Sequence, residues 1–478
     1  MDTNEDPLKG YKLTVGLEIH VELKTNTKMF CCSRNDPDEK RPNVNICPVC
    51  MAHPGTLPVI NKEAVKQVLR VGLALGSTLA DYTEFDRKNY FYPDIPKGYQ
   101  ISQYKYPLVS GGSLNGVQVT RVHLEEDTAR SSHENDEYSL IDYNRAGMPL
   151  MELVTEPVIT SATQAGDFAR ELRLLLQTLG ASDANMEKGQ MRVEANISVS
   201  KTEVFGTKVE VKNINSFRAV ERAIDYEVKR HIELLEKGEK IIQETRGWDE
   251  GRQATFSQRL KESSHDYRYF PDPDLPTLKL SLIPEFSNEI LKAGLPELPW
   301  ERRKRYIEDF GLSEEFANIF VGNSALSEFY ENVVLELKAD LQEIKLAANF
   351  IASDLLGLHR EIDKQLPILP INFAVLTSMF AKEKISSRGA KDILKEMYEK
   401  GGKPEDIAKE KGLLQQSDEG ALLLIITDVI GENPSVVEEY KNGKESSLQF
   451  LIGQAMKRSK GSANPAVLSQ LLRKTLGK

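Results

Sequence analysis

Several stretches in the first half of the chain alternate apolar and polar residues with a period of two, which predicts β-strands with one polar face. The segment 15–23, VGLEIHVEL, places Glu18, His20 and Glu22 on the same face of such a strand. Further strands are predicted over 117–122, 149–157 and 191–198. An antiparallel sheet with one solvated face has the same alternation, so the pattern alone leaves the function open.

Segments with helical periodicity separate these strands and predominate in the C-terminal part of the chain. The helix predicted over 61–76 begins at a capping Asn61, and the helix over 161–180 begins at Ser161. After Gly294 helical periods prevail to the C-terminus, so the sequence predicts an α+β fold class. A proline-rich linker and a later Gly-Gly break predict three domains, over 1–294, 295–403 and 404–478.

Composition excludes some classes of protein. The 478 residues are 40% hydrophobic and 28% charged, with a net charge of −10. No apolar run approaches the roughly 20 residues that cross a bilayer, and the N-terminus is acidic and polar. We therefore expect a cytoplasmic protein without a membrane partner.

The acidic total conceals a basic C-terminal block. Residues 440–478 contain eight basic residues and one acid, giving +7, so the other 439 residues carry −17. A basic block on an acidic protein predicts contact with a polyanion such as RNA, although a solvated helix end has the same composition. The candidate RNA-binding residues are Lys457, Arg458, Lys460, Arg473 and Lys474.

All four cysteines lie within a short segment. They are Cys31, Cys32, Cys47 and Cys50. Two clustered thiols, a loop and a CxxC pair are typical of a structural zinc site, and a redox pair is the alternative. The side chains of adjacent cysteines diverge, which makes it difficult for Cys31 and Cys32 to reach one metal ion.

The sequence has no GxxxxGK[ST] and no GxGxxG motif, so any ATP must be held by metal ions and separate cationic side chains. The aromatic and basic loop over 85–103 could grip phosphates and stack rings on a base or ribose, or could simply pack at the base of a loop. Arginine and lysine residues at the ends of other elements add to this set. The candidate ATP- or phosphate-binding residues are Arg87, Lys88, Tyr90, Lys97, Arg192 and Lys212.

A metal site is the better explanation of the acidic residues. On the strand over 149–157, Glu152 shares a face with Leu150 and Val154, where an isolated carboxylate is costly to bury. An oxygen-rich site that also contains a histidine, such as His20, suits magnesium or manganese with nucleotide phosphates.

Long motifs then identify a family. VGLEIHVEL, MFCC…CPVC, FDRKNYFYPDIPKGYQISQ, HLEED, NRAGMPLMELVTEP, KNINSFR, QETR and DYRYFPDPDL together resemble the B subunits of bacterial Asp/Glu-tRNA amidotransferases, from about Tyr11 to the C-terminus. The resemblance implies an N-terminal cradle domain with a glutamine-synthetase-like fold, an all-α helical domain and a small helical tail domain that contacts tRNA.

The resemblance also implies an activity. With ATP and magnesium, these proteins phosphorylate the side-chain carboxylate of misacylated Glu-tRNA(Gln) or Asp-tRNA(Asn), and ammonia from an amidase A subunit then displaces phosphate. A small C subunit clamps the A and B subunits together, and the non-discriminating aminoacyl-tRNA synthetase is a further expected partner. Carried over by motif, the catalytic metal ligands are Glu18, His20, Glu126 and Glu152.

This chain departs from the family pattern at the cysteines, where relatives usually carry C-x-C rather than Cys31-Cys32-Ser33, which leaves the zinc open. Two other classes of function also stay open at this point. A stand-alone carboxylate–amine ligase would use the same metal site without tRNA. A non-catalytic tRNA-binding scaffold would explain the basic tail but not the acidic residues of the first domain.

Overall fold

The computed structural model describes residues 8–135, 138–260, 267–338, 340–358, 366–415, 419–459 and 463–477. The chain forms two compact units, Met1–Pro299 and Trp300–Lys478. The first unit is a mixture of strands and helices, and the described part of the second is helical. An α+β chain with a large N-terminal sheet and a mostly helical C-terminal part is therefore confirmed.

The first unit has seventeen strands among its described residues. They are β1 (Lys12–Glu22), β2 (Thr78–Leu79), β3 (Tyr82–Thr83), β4 (Asp86–Asn89), β5 (Tyr99–Ser102), β6 (Val109–Ser110), β7 (Ser113–Leu114), β8 (Val117–Glu126), β9 (Arg130–Asn135), β10 (Tyr138–Asp142), β11 (Pro149–Thr155), β12 (Met191–Ser200), β13 (Val209–Ile214), β14 (Glu244–Asp249), β15 (Ala254–Leu260), β16 (Phe270–Pro271) and β17 (Leu278–Lys279). Its helices are α1 (Lys62–Ala74), α2 (Ala162–Thr178), α3 (Phe217–Glu236) and α4 (Asn288–Ala293).

Ten of these strands form one sheet, in the order β15-β14-β13-β12-β1-β11-β8-β6-β2, with β7 pairing beside β8. Strands β13 and β14 are parallel, whereas β1 runs antiparallel to both of its neighbours. The predicted strand over 15–23 is thus a central strand of the sheet. A smaller sheet, β16-β4-β5, supports the aromatic loop that follows β4.

The predicted helix starts are confirmed at two caps. Asn61 accepts hydrogen bonds from the backbone N–H groups of Glu63 and Ala64 and so begins α1. Ser161 accepts one from the N–H of Gln164, whose side chain in turn accepts from the N–H of Thr160. These bonds satisfy donors that the first helical turn leaves unpaired.

The second unit contains twelve α-helices among its described residues. They are α5 (Pro299–Glu308), α6 (Glu314–Val321), α7 (Ser324–Glu336), α8 (Leu341–Asn349), α9 (Leu356–Leu358), α10 (Pro370–Ala381), α11 (Ser387–Lys400), α12 (Pro404–Glu410), α13 (Glu419–Glu432), α14 (Pro434–Lys441), α15 (Glu445–Arg458) and α16 (Pro465–Leu476). The last four share one hydrophobic core, which includes Leu422, Leu448 and Leu472. Helix α12 contacts α10 and α11. The divisions at 294/295 and 403/404 stay predictions.

Candidate active site

Three antiparallel strands bring acidic and imidazole side chains to one face of the large sheet. His20 on β1 lies opposite Glu152 on β11, and Glu152 lies opposite His123 on β8. Glu18 is two residues before His20, and Glu125 is two residues after His123, so both share that face. We call these five residues the acidic cluster.

The side chains of the acidic cluster converge. The Nε2 atom of His20 lies 3.5 Å from Glu152 Oε2, 3.6 Å from Glu125 Oε1 and 3.9 Å from Glu18 Oε1. His123 Nε2 lies 3.5 Å from the same Glu152 oxygen. Two overlapping sets, Glu18 with His20 and Glu152, and His123 with Glu125 and Glu152, each place their donor atoms within 4.8 Å of one another.

Burial and like charge disturb the titration of these groups. Burial and the charges of Glu152 and Glu194 raise the pKa of Glu18 to about 7. Burial would lower the pKa of His20, but Glu152 and Glu125 raise it to about 9. Burial raises the pKa of Glu125 and lowers that of His123 to about 4. Carboxylates crowded in this way, with imidazole nitrogens beside them, have the donor set that a divalent cation would stabilise.

Glu126, a predicted metal ligand, lies outside the acidic cluster. Alternation along β8 puts Glu125 on the cluster face and Glu126 on the opposite face of the strand. There the Glu126 carboxylate accepts hydrogen bonds from Lys97 Nζ at 2.7 Å and from the backbone N–H of Ile101 at 2.9 Å. Glu125, which the sequence prediction did not name, lies in the acidic cluster beside His123 and Glu152, and the alternation of His123 and Glu125 along the strand is the signal that could have found it.

A second acidic group adjoins the first and shares Glu18. One carboxylate oxygen each of Glu18, Glu194 and Glu210 lie within 4.8 Å of one another. Lys212 Nζ lies 2.8 Å from Glu194 and 4.0 Å from Glu210. These carboxylates raise the pKa of Lys212 against the effect of burial. The ammonium therefore balances part of the negative charge on this side of β1.

The first set of predicted phosphate-binding cations lies around the aromatic loop. Arg87 bridges Asp272 at 2.9 Å and Asp274 at 2.8 Å. Lys88 Nζ lies 5.0 Å from the ring centre of Tyr267 and 5.9 Å from that of Tyr90. Burial would lower the pKa of Lys88, but Glu125 and neighbouring groups raise it, which places this ammonium in the field of the acidic cluster.

Arg192 lies on the other side of β1. It is opposite His20 in the sheet, and its guanidinium contacts Asp127 at 3.2 Å. Arg145 reaches the same carboxylate at 3.4 Å. Asp127 is buried, and the two arginines hold its pKa below the usual value against the effect of burial.

Comparisons with known proteins show the family to which the chain belongs. The family model described as the GatB/GatE catalytic domain matches residues 13–283, and one described as the GatB domain matches residues 328–476. The chain is 45% identical over 489 residues to the B subunit of the aspartyl/glutamyl-tRNA(Asn/Gln) amidotransferase of Carboxydothermus hydrogenoformans, covering 98% of this chain and 100% of that protein. The chain belongs to the GatB family.

Other relatives in the GatB family are equally full-length. The B subunits of the same amidotransferase from Thermodesulfovibrio yellowstonii and Thermoanaerobacter sp. are 44% and 43% identical to this chain. The alignments cover 98% of this chain in both cases and 99% and 100% of those proteins. Membership of this family makes the chain a subunit of a tRNA-dependent amidotransferase, a ligase of translation, and the acidic cluster lies within its catalytic domain.

The cysteines of this GatB chain form a group of three rather than four. The sulfur atoms of Cys31, Cys47 and Cys50 lie within 4.8 Å of one another, whereas Cys32 is exposed. Cys32 therefore lies apart from the other three predicted zinc ligands, and the four-cysteine zinc site stays a prediction. Lys28 Nζ lies 3.7 Å from Cys50 Sγ. A hydrogen bond from Cys31 and the charge of Lys28 lower the pKa of Cys50 to about 4, against the effect of burial.

Two of the predicted RNA-binding residues have acidic partners. Arg458 pairs with Asp428 at 2.9 Å and with Glu432 at 2.7 Å, and Arg473 pairs with Glu445 at 3.0 Å. Lys457 and Lys474 are exposed, and Lys460 lies outside the described residues. Among the described residues, no helix is both long enough and apolar enough to span a membrane.

Proposed function

We propose that this chain carries the ATP-dependent step of the amidotransferase at its acidic cluster. A side-chain carboxylate oxygen of misacylated Glu-tRNA(Gln) or Asp-tRNA(Asn) bonds to the γ-phosphorus of ATP, and ADP leaves. Ammonia then attacks the activated acyl carbon, and phosphate leaves as the amide forms. The observation that carries this proposal is the convergence of His20, Glu125 and Glu152 inside the GatB catalytic domain.

Magnesium fits the cluster because its donors are carboxylate oxygens with one or two imidazole nitrogens. Glu18, His20, Glu125 and Glu152 would hold the ion, with Glu125 in place of the Glu126 of the sequence prediction. When bound, it would neutralise charge on the phosphates of ATP. We also propose that the first unit has a glutamine-synthetase-like cradle fold.

The chain needs no general base for this reaction, since the attacking carboxylate is already an anion. Its own contribution is positioning and positive charge. Arg192 lies opposite His20, Lys212 contacts Glu194, and Lys88 lies in the field of Glu125, where the three cations would bind the phosphates of ATP. Arg87, Tyr90 and Lys97 remain proposed ATP-binding residues in the neighbouring loop.

We further propose that the amidase A subunit supplies ammonia and that the C subunit completes a heterotrimer in the cytoplasm. The non-discriminating aminoacyl-tRNA synthetase is a proposed source of the misacylated tRNA. In the second unit, exposed Lys457 and Lys474 would contact tRNA phosphates together with Lys460. Arg458 and Arg473 would do so only by leaving their acidic partners.

Zinc is a further proposal, with a reduced ligand set. Cys31, Cys47 and Cys50 supply three sulfur donors, which leaves one position of a tetrahedral ion to another ligand. The site would fix the loop over 31–50 beside Lys28 and Gly147 rather than take part in phosphoryl transfer.

An assay of ATP hydrolysis tests the proposed function. The purified chain with its co-eluting subunits should hydrolyse ATP to ADP when misacylated tRNA is present, and should form amide when glutamine is added. ATP hydrolysis that depends on a free amino acid rather than on misacylated tRNA would indicate a stand-alone ligase instead. Absence of any hydrolysis by a complete, tRNA-binding complex would indicate a scaffold, and Glu152→Gln provides the inactive reference.

A further inference from the structure

A serine hydroxyl lies beside the three sulfur atoms of the loop over 31–50. The Oγ atom of Ser33 is 3.8 Å from Cys50 Sγ, and Ser33 is only 9% exposed. Cys47 Sγ lies at a similar distance, 3.9 Å, from the same sulfur. Cys31 completes the group of three thiols, whose sulfur atoms lie within 4.8 Å of one another. The hydroxyl of Ser33 therefore joins the three sulfurs as a fourth inward-facing group.

The local backbone explains why Ser33 turns inward and Cys32 does not. Residues 27 and 34 form an antiparallel bridge, and the N–H of Lys28 donates to the carbonyl of Ser33 at 2.9 Å. Lys28 and Ser33 are thus directly opposite each other, so their side chains lie on the same side of this narrow hairpin. Burial alternates along the segment, because Cys31 is half-buried, Cys32 is exposed and Ser33 is buried.

The separations between these groups match those of a tetrahedral zinc site. Zinc–sulfur bonds of about 2.3 Å place two sulfur ligands about 3.8 Å apart, and a zinc–oxygen bond of about 2.0 Å places an oxygen about 3.5 Å from each sulfur. The sulfurs of Cys47 and Cys50 have the first spacing, and Ser33 Oγ is within about 0.3 Å of the second. The backbone N–H of Cys47 donates to Cys50 Sγ at 3.2 Å, which orients that sulfur as outer-shell hydrogen bonds do in metal sites.

Lys28 supplies a balancing charge rather than a ligand. Its side chain is fully buried, with Nζ 3.7 Å from Cys50 Sγ, and it donates a hydrogen bond to the carbonyl of Tyr143 at 3.0 Å. An ammonium group has no lone pair to offer a metal ion. Zinc held by three thiolates would carry one negative charge, which this ammonium neutralises. A neutral fourth ligand, such as a hydroxyl, then leaves the buried site without net charge.

We propose that Ser33 is the fourth ligand of the zinc site, so that three thiolates and one hydroxyl hold the ion. In the part of the chain that the structure describes, no histidine or carboxylate joins the three sulfurs within 4.8 Å. His53 and Cys32 are both exposed. The inference rests on the proposed zinc site and deepens it by naming the ligand that the cysteines leave open.

A hydroxyl in the fourth position has a chemical consequence. A neutral oxygen is a weaker ligand for zinc than a thiolate, so the bond to Ser33 is the easiest of the four to break. The site should therefore lose zinc to a chelator faster than a four-thiolate site does. Ser33→Cys provides the direct comparison within the same loop.

The test moves a thiol by one position in the chain. Ser33→Cys adds a fourth inward-facing thiol, Ser33→Ala removes the hydroxyl, and Cys32→Ser is the matched control at the adjacent exposed position. A variant that combines Cys32→Ser with Ser33→Cys keeps the number of cysteines at four. Each full-length chain is loaded with Co²⁺ as a spectroscopic probe and separately with zinc, and excess magnesium occupies the acidic cluster throughout.

Ser33→Cys, alone or with Cys32→Ser, should raise the intensity of the thiolate-to-cobalt charge-transfer band by about a third, because four sulfurs replace three. The same two variants should lose zinc to a chelator about tenfold more slowly. Ser33→Ala should weaken zinc binding by about tenfold while its charge-transfer band is unchanged. Cys32→Ser should match the unaltered chain in all three measurements.

The outcomes separate this inference from the zinc proposal. An unchanged cobalt spectrum in Ser33→Cys would show that position 33 does not face the ion and would overturn the inference. Equal zinc affinity of Ser33→Ala and the unaltered chain would overturn it too, and so would a weaker charge-transfer band in Cys32→Ser. In each of these cases zinc binding itself stands. An unaltered chain that binds neither cobalt nor zinc would overturn the zinc proposal and the inference together.

Discussion

His20 and Glu152 lie opposite each other on adjacent strands of the large sheet, with Nε2 and Oε2 3.5 Å apart. The pairing joins residues 132 positions apart in the chain. It also sets the positions of the neighbouring donors, since Glu18 and Glu125 share the same face. The proposed magnesium site depends on this register, because a slip of one residue would turn Glu152 to the other face.

Glu125→Gln and Glu126→Gln form a matched pair on opposite faces of β8. Glu125→Gln should weaken Mn²⁺ binding by more than tenfold, because it replaces a charged ligand by a neutral one. Glu126→Gln should leave Mn²⁺ binding within about twofold, because that carboxylate contacts Lys97 and Ile101 instead. Titration of the purified complex by electron paramagnetic resonance measures both.

The opposite order of effects, with Glu126→Gln losing the ion, would show that the strand faces are assigned wrongly. Amide formation must be measured separately for each variant. Metal affinity is the deciding quantity, because Glu126 could affect the reaction through Lys97 without binding the ion.

The zinc proposal distinguishes Cys47 from Cys32. The purified chain should contain about one zinc ion per molecule, and Cys47→Ser should lose it, because Cys47 belongs to the group of three thiols. Cys32→Ser should keep its zinc, because Cys32 is exposed and outside that group. Elemental analysis after dialysis measures the metal content. Equal content in the two variants, whether high or absent, would contradict the proposed ligand set.

Substitution of the exposed lysines Lys457 and Lys474 should affect tRNA binding more than substitution of the ion-paired Arg458. Lys457→Ala and Lys474→Ala should each lower the slope of log affinity against log salt by about one, because each removes one phosphate contact. Arg458→Ala should change the slope less, because Asp428 and Glu432 already bind this guanidinium. Filter binding from low to moderate salt gives the slopes. A larger change in this slope for Arg458→Ala would mean that its ion pairs with Asp428 and Glu432 break when tRNA binds.

Glu227 should stabilise the first unit in a pH-dependent way. Burial would raise its pKa, but the His231 imidazole at 3.2 Å and hydrogen bonds from Arg230 and Thr255 lower it to about 2. Because this value is below the unfolded value of about 4.3, the stabilisation is complete above that pH and is lost as the pH falls toward 2. Glu227→Gln should therefore reduce the free energy of unfolding by about 3 kcal/mol at pH 7 and by less at acidic pH.

Denaturant unfolding at pH 7 and at about pH 3 measures this effect. Glu233→Gln is the control, since Glu233 is exposed on the same helix, α3. Equal stability of the Glu227 and Glu233 variants at pH 7 would show that the buried contacts of Glu227 do not contribute.

The sequence predicted those features that depend on local periodicity. Alternation placed Glu18 and His20 on one face, and capping chemistry located Asn61 and Ser161, because each depends only on neighbouring residues. The sequence could not show that Arg458 contacts Asp428, because these two residues are thirty positions apart and lie on different helices.

The sequence was a weaker guide to which of two adjacent residues belongs to a site. A motif carried over from a family includes both Glu125 and Glu126, and only the faces of β8 separate them. Cys31 and Cys32 present the same difficulty in a loop, where no periodicity indicates which thiol turns inward. The tertiary fold decides both cases.

The most direct test of the central claim is the anomalous scattering of Mn²⁺ in crystals of the complex with a non-hydrolysable ATP analogue. The account predicts a peak about 2.1 Å from carboxylate oxygens of Glu18, Glu125 or Glu152 and close to His20 Nε2. A peak on the opposite face of β8, beside Glu126 and Lys97, would contradict it.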